Sequence, residues 1–123
     1  QDGGAFADVD GVIFTKDMKT LVIYPAAKSG SSYEIPTGVE VIGDCSFESN
    51  LFLREVVIPE GVREIGFDAF YDATLLSTIT VPSSVKKVGD WALYSAYPTF
   101  SIYFAGTEDE WYALEEQADF YPH

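Results

Sequence analysis

Asp8-Val-Asp10-Gly11 sets two carboxylates one residue apart ahead of a glycine, as a calcium-binding loop would. A loop of the EF-hand kind starting at Asp8 wants an oxygen donor at position 12 and a glutamate at its twelfth place. Val12 and Lys19 stand there, so the segment reads as a turn entering a hairpin. Cys45 is the one cysteine, which excludes an internal disulfide. As a nucleophile it would need a positioned base, and the one histidine is His123 at the extreme C-terminus. Ser–His–Asp chemistry fails for the same reason. With 20 acidic residues in 123, some carboxylate pair falls at glycosidase spacing by chance, so such a pair says little. A glycine-rich phosphate loop of the Walker or Rossmann kind is missing from the sequence. The expectation is a chain without catalytic residues, cofactor or metal site.

The elements that would hold any site are set by a repeat. Tyr33-Glu-Ile-Pro-Thr-Gly-Val-Glu-Val-Ile-Gly, Val56-Val-Ile-Pro-Glu-Gly-Val-Arg-Glu-Ile-Gly and Ile79-Thr-Val-Pro-Ser-Ser-Val-Lys-Lys-Val-Gly align without a gap. Their prolines, Pro36, Pro59 and Pro82, are spaced by 59 − 36 = 23 and 82 − 59 = 23 residues. A period of about 20–29 residues with one short strand per unit is the signature of a leucine-rich-repeat solenoid.

Within the middle unit, Leu53, Val56 and Ile58 predict a short strand that Pro59 ends, since proline has no N–H to donate. Gly61 supplies a positive φ for a sharp bend. Val62 and Ile65 turn apolar atoms inward, Gly66 opens a second corner, and Asp68-Ala69-Phe70 makes one helical turn or less. Four columns recur at the period: Val39, Val62, Val85; Ile42, Ile65, Val88; Phe47, Phe70, Leu93; and Tyr33, Val56, Ile79, Ile102. Coils stacked about 4.8 Å apart turn each column into an internal ladder. Asp72 lies outside these slots, so its truncation is expected to cost within about 0.5 kcal/mol.

The run Ile-Pro-x-x-Val-x-x-Ile-Gly-x-x-Ala-Phe at Ile58 to Phe70 resembles the BspA-like, Treponema-type leucine-rich repeats of bacterial surface proteins. Two flanking segments strengthen the resemblance. Residues 11–25 look like the hairpin insertion common among those proteins, and residues 102–111 like their array-ending segment. The family repeats often carry Cys near positions 50, 73 and 96, where this chain has Asn50, Ala73 and Ala96, a difference expected to touch packing detail alone. The resemblance implies a non-catalytic surface or secreted module for adhesion, matrix-protein binding or cell–cell contact.

Both ends read as caps. Residues 12–14 and 20–24 are apolar strands joined through Lys16-Asp17-Met18-Lys19, a β-hairpin on the N-terminal side. Thr107-Glu-Asp-Glu110 is a capping box whose acids suit the positive end of a helix dipole, so a helix near 108–118 should lay Trp111 and Leu114 on the last coil. The fold class is therefore a mostly β solenoid in one domain: residues 1–32 the N-terminal hairpin cap, 33–105 the repeats, 106–123 the cap helix and tail. Residues 26–32 read as a surface loop. Because the chain starts at Gln1, it looks like a mature or excised piece.

A net charge of −13 repels phosphate backbones and anionic lipid heads, which argues against nucleic acid and membrane surfaces. The sequence contains no apolar run of about 18 residues for a bilayer span. A protein partner is the expectation that remains, with a glycan-binding module or a structural spacer as alternatives. Counting by 23 places Glu34, Val57, Thr80 and Tyr103 in one outward column of the strand face, beside Ser32, Glu55, Thr78 and Ser101 in a second. Pleating sends these positions away from Val56 and Ile58 toward solvent. Tyr103 with Glu34 and Glu55 suits a basic, partly apolar segment. Among the aromatics, Tyr71 and Tyr94 share a slot elsewhere on the coil, where Tyr94 and Tyr97 should pack over the array end.

Overall fold

The structure, a computed structural model, describes residues 6–94 and 101–117. Three antiparallel strands open it: β1 (Phe6–Val9), β2 (Val12–Thr15) and β3 (Thr20–Ile23). Short strands then alternate as β4 (Ser32–Glu34), β5 (Val41–Ile42), β6 (Glu55–Val57), β7 (Glu64–Ile65), β8 (Thr78–Val81), β9 (Lys87–Val88) and β10 (Ser101–Phe104). A single described helix, α1 (Glu108–Glu115), follows. One sheet runs β10-β8-β6-β4 and is parallel throughout. The other runs β1-β2-β3-β5-β7-β9.

The 23-residue period is thus the rise of a β-solenoid. Tyr33 lies beside Val56, Val56 beside Ile79, and Ile79 beside Ile102. Ile35 and Ile58 still donate their N–H to Val57 and Thr80 of the next coil, at 3.0 Å each. Pro36 and Pro59 have no N–H, so the ladder stops there. The second sheet was not read from the sequence. Val41-Ile42, Glu64-Ile65 and Lys87-Val88 pair in parallel, but two-residue strands are too short for an alternation to mark them.

The third wall of each coil is a turn, tighter than a helical turn. Asp68 adopts φ 55°, and Tyr71 N–H closes on the Asp68 carbonyl at 3.1 Å. Even here the backbone bonds from coil to coil: Phe47 N–H to the Ala69 carbonyl at 2.7 Å, Phe70 N–H to that of Ala92 at 2.8 Å. Polar side chains echo the period, with Arg63 Nη2 donating to Glu40 Oε1 at 2.9 Å and Phe67 N–H to Asp44 Oδ1 at 3.0 Å. Gly61 has φ 106°, as the bend requires. Gly66 and Gly89 serve otherwise: their φ is not positive, and what they provide is room for the backbone of the preceding coil.

Among the described residues the buried hydrophobic side chains form one cluster running from Val12 to Leu114. Val39, Val62, Val85, Ile42, Ile65, Val88, Phe47, Phe70 and Leu93 are all buried, so three expected columns stand. The fourth is buried at Val56 and Ile79 and half-buried at its ends, Tyr33 and Ile102. Tyr24, Phe47 and Phe70 stack in series, with ring centroids 5.0 and 4.6 Å apart. Burial first, then the negative charge of ionised Tyr24 and Asp10, pushes the Tyr33 phenol up to about 12 from an ordinary 10.0. A raised folded-state value favours the protonated phenol in the fold, so its contribution is complete below pH 10 and lost as pH climbs toward 12. The urea midpoint should therefore fall between pH 9 and pH 11, and fall less in Tyr33→Phe. Equal drops in both proteins would refute the assignment.

Asn50 does more than packing detail, which corrects the expectation from sequence. Buried, it donates from Nδ2 to the Pro25 carbonyl at 3.2 Å and accepts through Oδ1 from the amides of Phe52 (2.9 Å) and Leu53 (2.7 Å). One amide thus ties the loop after β3 to the turn before β6. Alanine would strand two N–H donors, so Asn50→Ala should cost about 2 kcal/mol in urea unfolding. An effect below about 0.5 kcal/mol would show that water replaces the side chain.

The caps agree in kind with the sequence and differ in detail. The β2–β3 hairpin forms as expected, and β1 adds a strand before it. Asp10 (φ 54°) and Gly11 (φ 87°) make the two-residue turn between β1 and β2, the Asp-Gly pairing typical of a type I′ hairpin. Asp8 Oδ1 accepts the Gly11 N–H at 2.9 Å, and Lys28 Nζ donates to the Asp10 carbonyl at 2.7 Å. The Asp8 carboxylate is thus engaged by the turn itself, and the Asp10 carboxylate lies 3.5 Å from Lys28 Nζ. At the other end Thr107 Oγ1 accepts from Glu110 N–H at 3.1 Å while Glu110 Oε1 accepts from Thr107 N–H at 2.9 Å, completing the capping box. Leu114 is buried and Trp111 lies 5.3 Å from Phe104, ring to ring. Residue 118 and the tail lie outside the described residues, as do Ala96 and Tyr97.

Candidate functional site

Parallel pairing in register brings all six sequence-chosen residues onto one face. Glu34 neighbours Val57, Val57 neighbours Thr80, and Thr80 neighbours Tyr103 across β4, β6, β8 and β10. One step along, Ser32, Glu55, Thr78 and Ser101 form the adjacent column. Glu34, Glu55 and Tyr103 are exposed, and Val57, Thr78 and Thr80 half-buried. Tyr103 is 61% exposed, the most open of the large hydrophobic side chains among the described residues. Its position in the last strand leaves one flank unpaired by a further strand among the described residues.

A second feature lies on the turn wall, where sequence reasoning put Tyr71 and Tyr94 in one slot but did not single out Trp91. Phe67, Tyr71 and Trp91 are each about two-fifths to one-half exposed. Trp91 meets Tyr71 edge-on, with centroids 6.1 Å apart and planes at 86°, and leans on Tyr94 at 4.6 Å. Asp68, Tyr71 and Trp91 line a concavity of about 240 Å³. Tyr94 is half-buried against Trp91, in keeping with a packing role. The signal was present: Trp91 occupies the slot of Cys45 and Asp68, and all three take positive φ (64°, 59° and 55°). The slot that holds cysteine, aspartate and tryptophan in turn is a left-handed turn position, which a bulky residue seldom takes.

Cys45 on the same wall is exposed, and partial burial of its sulfur together with the charges of Glu48, Asp68 and Asp44 pushes its thiol up. Thiolate is the nucleophilic form, so this setting suppresses the reactivity that catalysis would need. Its Sγ and carboxylate oxygens of Glu48 and Asp68 lie within 4.8 Å of one another.

Residues 26–111, most of the chain, match the family described as BspA type leucine-rich repeat region (6 copies). The chain belongs to that family. Its solenoid is similar to the crystal structure of a leucine-rich repeat protein from Eubacterium ventriosum, with a TM-score of 0.79 and 27% identity over 85% of this chain and 28% of the other. It is also similar in fold to the pneumococcal vaccine antigen PcpA, with a TM-score of 0.61 and 19% identity over 98% of this chain and 47% of that one. The chain therefore spans between about a quarter and a half of the length of these relatives. No curated protein matches it. Repeat folds of this class are in general protein-interaction scaffolds, and their stacked units build the extended surfaces used for binding.

Proposed function

We propose that this BspA-type domain is a non-catalytic binding module of a secreted or cell-surface bacterial protein, docking a protein partner on the β4-β6-β8-β10 face. The observation that carries the reading is the pair of outward columns that take no part in the core, Glu34-Val57-Thr80-Tyr103 and Ser32-Glu55-Thr78-Ser101. An exposed ring at Tyr103 supplies an apolar anchor with a polar tip, the kind of residue enriched at interfaces. Glu34 and Glu55 favour a partner segment carrying positive charge. The overall charge of −13 disfavours nucleic acid and anionic lipid as alternatives. No helix among the described residues is long and apolar enough to cross a membrane.

A spacer or terminal unit of a larger protein is the second reading, favoured by the chain's covering 28% and 47% of its structural relatives. Capture from extracellular-matrix and host-cell proteins separates the two. The native domain should retain a partner that a folded Tyr103→Ala, Glu55→Lys double variant loses. Retention of every partner by the variant would show the strand face idle; capture of none by the native domain would favour the spacer.

A further inference from the structure

We propose that the Asp68-Tyr71-Trp91 corner of the turn wall is a separate binding site for a cationic side chain, an arginine of a basic polypeptide. It lies outside the strand face, on residues that the preceding proposal does not use.

Charge distribution points first in this direction. The three turn segments, residues 43–50, 66–73 and 89–94, contain Asp44, Glu48, Asp68, Asp72 and Asp90, and no lysine or arginine. Five of the seven basic residues pair with acids outside these segments: Lys19 and Arg63 with Glu40, Lys28 with Asp10, Lys86 with Glu110, and Lys87 with Glu64. Asp90 is brought beside Asp68 by stacking, its carbonyl accepting the Asp68 N–H at 3.0 Å. Burial first, and then the charges of Glu48, Asp68 and Asp44, push the Cys45 thiol on this wall up.

Ring geometry makes that charge selective. Tyr71 and Trp91 stand at 86°, so the corner offers two aromatic surfaces meeting at a right angle. A guanidinium is planar, weakly hydrated and stacks on aromatic faces while donating a fork of N–H groups to a carboxylate. Asp68 lines the same concavity, and its carboxylate is the acceptor assigned to that fork. Trp91 is 46% exposed and sits at φ 64°, so neither burial nor backbone preference accounts for a tryptophan there. Tyr94 behind it, at 4.6 Å, holds the indole in place.

The test follows the two indole N–H signals in nitrogen-15-labelled protein, assigned with Trp91→Phe, as a nona-arginine peptide is added. A citrulline peptide of equal length has the same shape without charge. The Trp91 signal is expected to shift and saturate with arginine, to stay put with citrulline, and to need about tenfold more peptide or worse in Asp68→Asn. Asparagine tolerates left-handed φ, so this variant keeps the turn. The Trp111 signal should be unmoved. Binding unchanged in Asp68→Asn overturns the proposal, as does an immobile Trp91 signal. An equal response to citrulline or to methyl glucoside would overturn it too, showing a platform for neutral ligands.

Discussion

Phe70→Ala is expected to remove about 3–5 kcal/mol of stability in urea unfolding, the usual cost of deleting a buried aromatic. Phe70 is 1% exposed and stacks on Phe47 with ring centroids 4.6 Å apart and planes 18–21° from parallel along the Tyr24-Phe47-Phe70 series. The value within that range depends on whether the site can collapse. Here it cannot close easily, because Phe47 N–H holds the Ala69 carbonyl at 2.7 Å and Phe70 N–H the Ala92 carbonyl at 2.8 Å. Those bonds fix the spacing of coils on both sides, so the cavity persists and the cost lies in the upper half. Asp72 supplies the contrast. The sequence marks it as free of the core, but its φ of 59° makes the position left-handed. Alanine there should cost about 1 kcal/mol, more than its place outside the core suggests, whereas Asp72→Asn keeps the turn and should stay within about 0.5 kcal/mol. A Phe70→Ala loss no larger than that of Asp72→Ala would mean the described register is wrong.

What the sequence disclosed follows from how often each physical signal repeats. The columns through Val62, Ile65 and Phe70 were legible because burial acts on each coil alike, so the same residue type returns every 23 positions. Thr107 and Glu110 announced α1 because a capping box satisfies orphan amides with two side chains at fixed spacing. Strand β1 escaped because Ala7, Asp8 and Val9 are mostly exposed and show no apolar alternation, although Asp10-Gly11 between two short runs was a hairpin signal. The second ladder escaped for lack of length, and Asn50 because its worth lies in three bonds that only the folded loop brings within reach. For the strand face, the pleat alone sufficed to gather Glu34, Glu55, Val57, Thr78, Thr80 and Tyr103. The turn-wall corner needed three dimensions, since a tryptophan in a slot held elsewhere by cysteine and aspartate looks like tolerance until its φ is known.

Gly89→Ala is the other substitution from which a large loss is expected, about 3 kcal/mol, at the upper end of what overpacking costs. A Cβ at Gly89 would lie 2.5 Å from the Phe67 amide nitrogen and 2.7 Å from Phe67 Cα, backbone atoms of the preceding coil that no rotamer change can move. Gly66 meets the same obstacle one coil earlier, 2.6 Å from the Asp44 nitrogen. Relief would require the coils to part, and parting them lengthens the Gly89 N–H bond to the Ile65 carbonyl, now 2.9 Å, and the β7–β9 pairing beside it. Gly61 provides the control because it isolates backbone strain from contact. Its φ is 106° and a Cβ there meets nothing within 4 Å, so Gly61→Ala should cost about 1–2 kcal/mol from conformation alone. Urea unfolding of the two variants side by side tests the distinction. A Gly61→Ala loss equal to or above that of Gly89→Ala would show that positive φ, and not the close approach of stacked coils, is what the glycines of this solenoid are for.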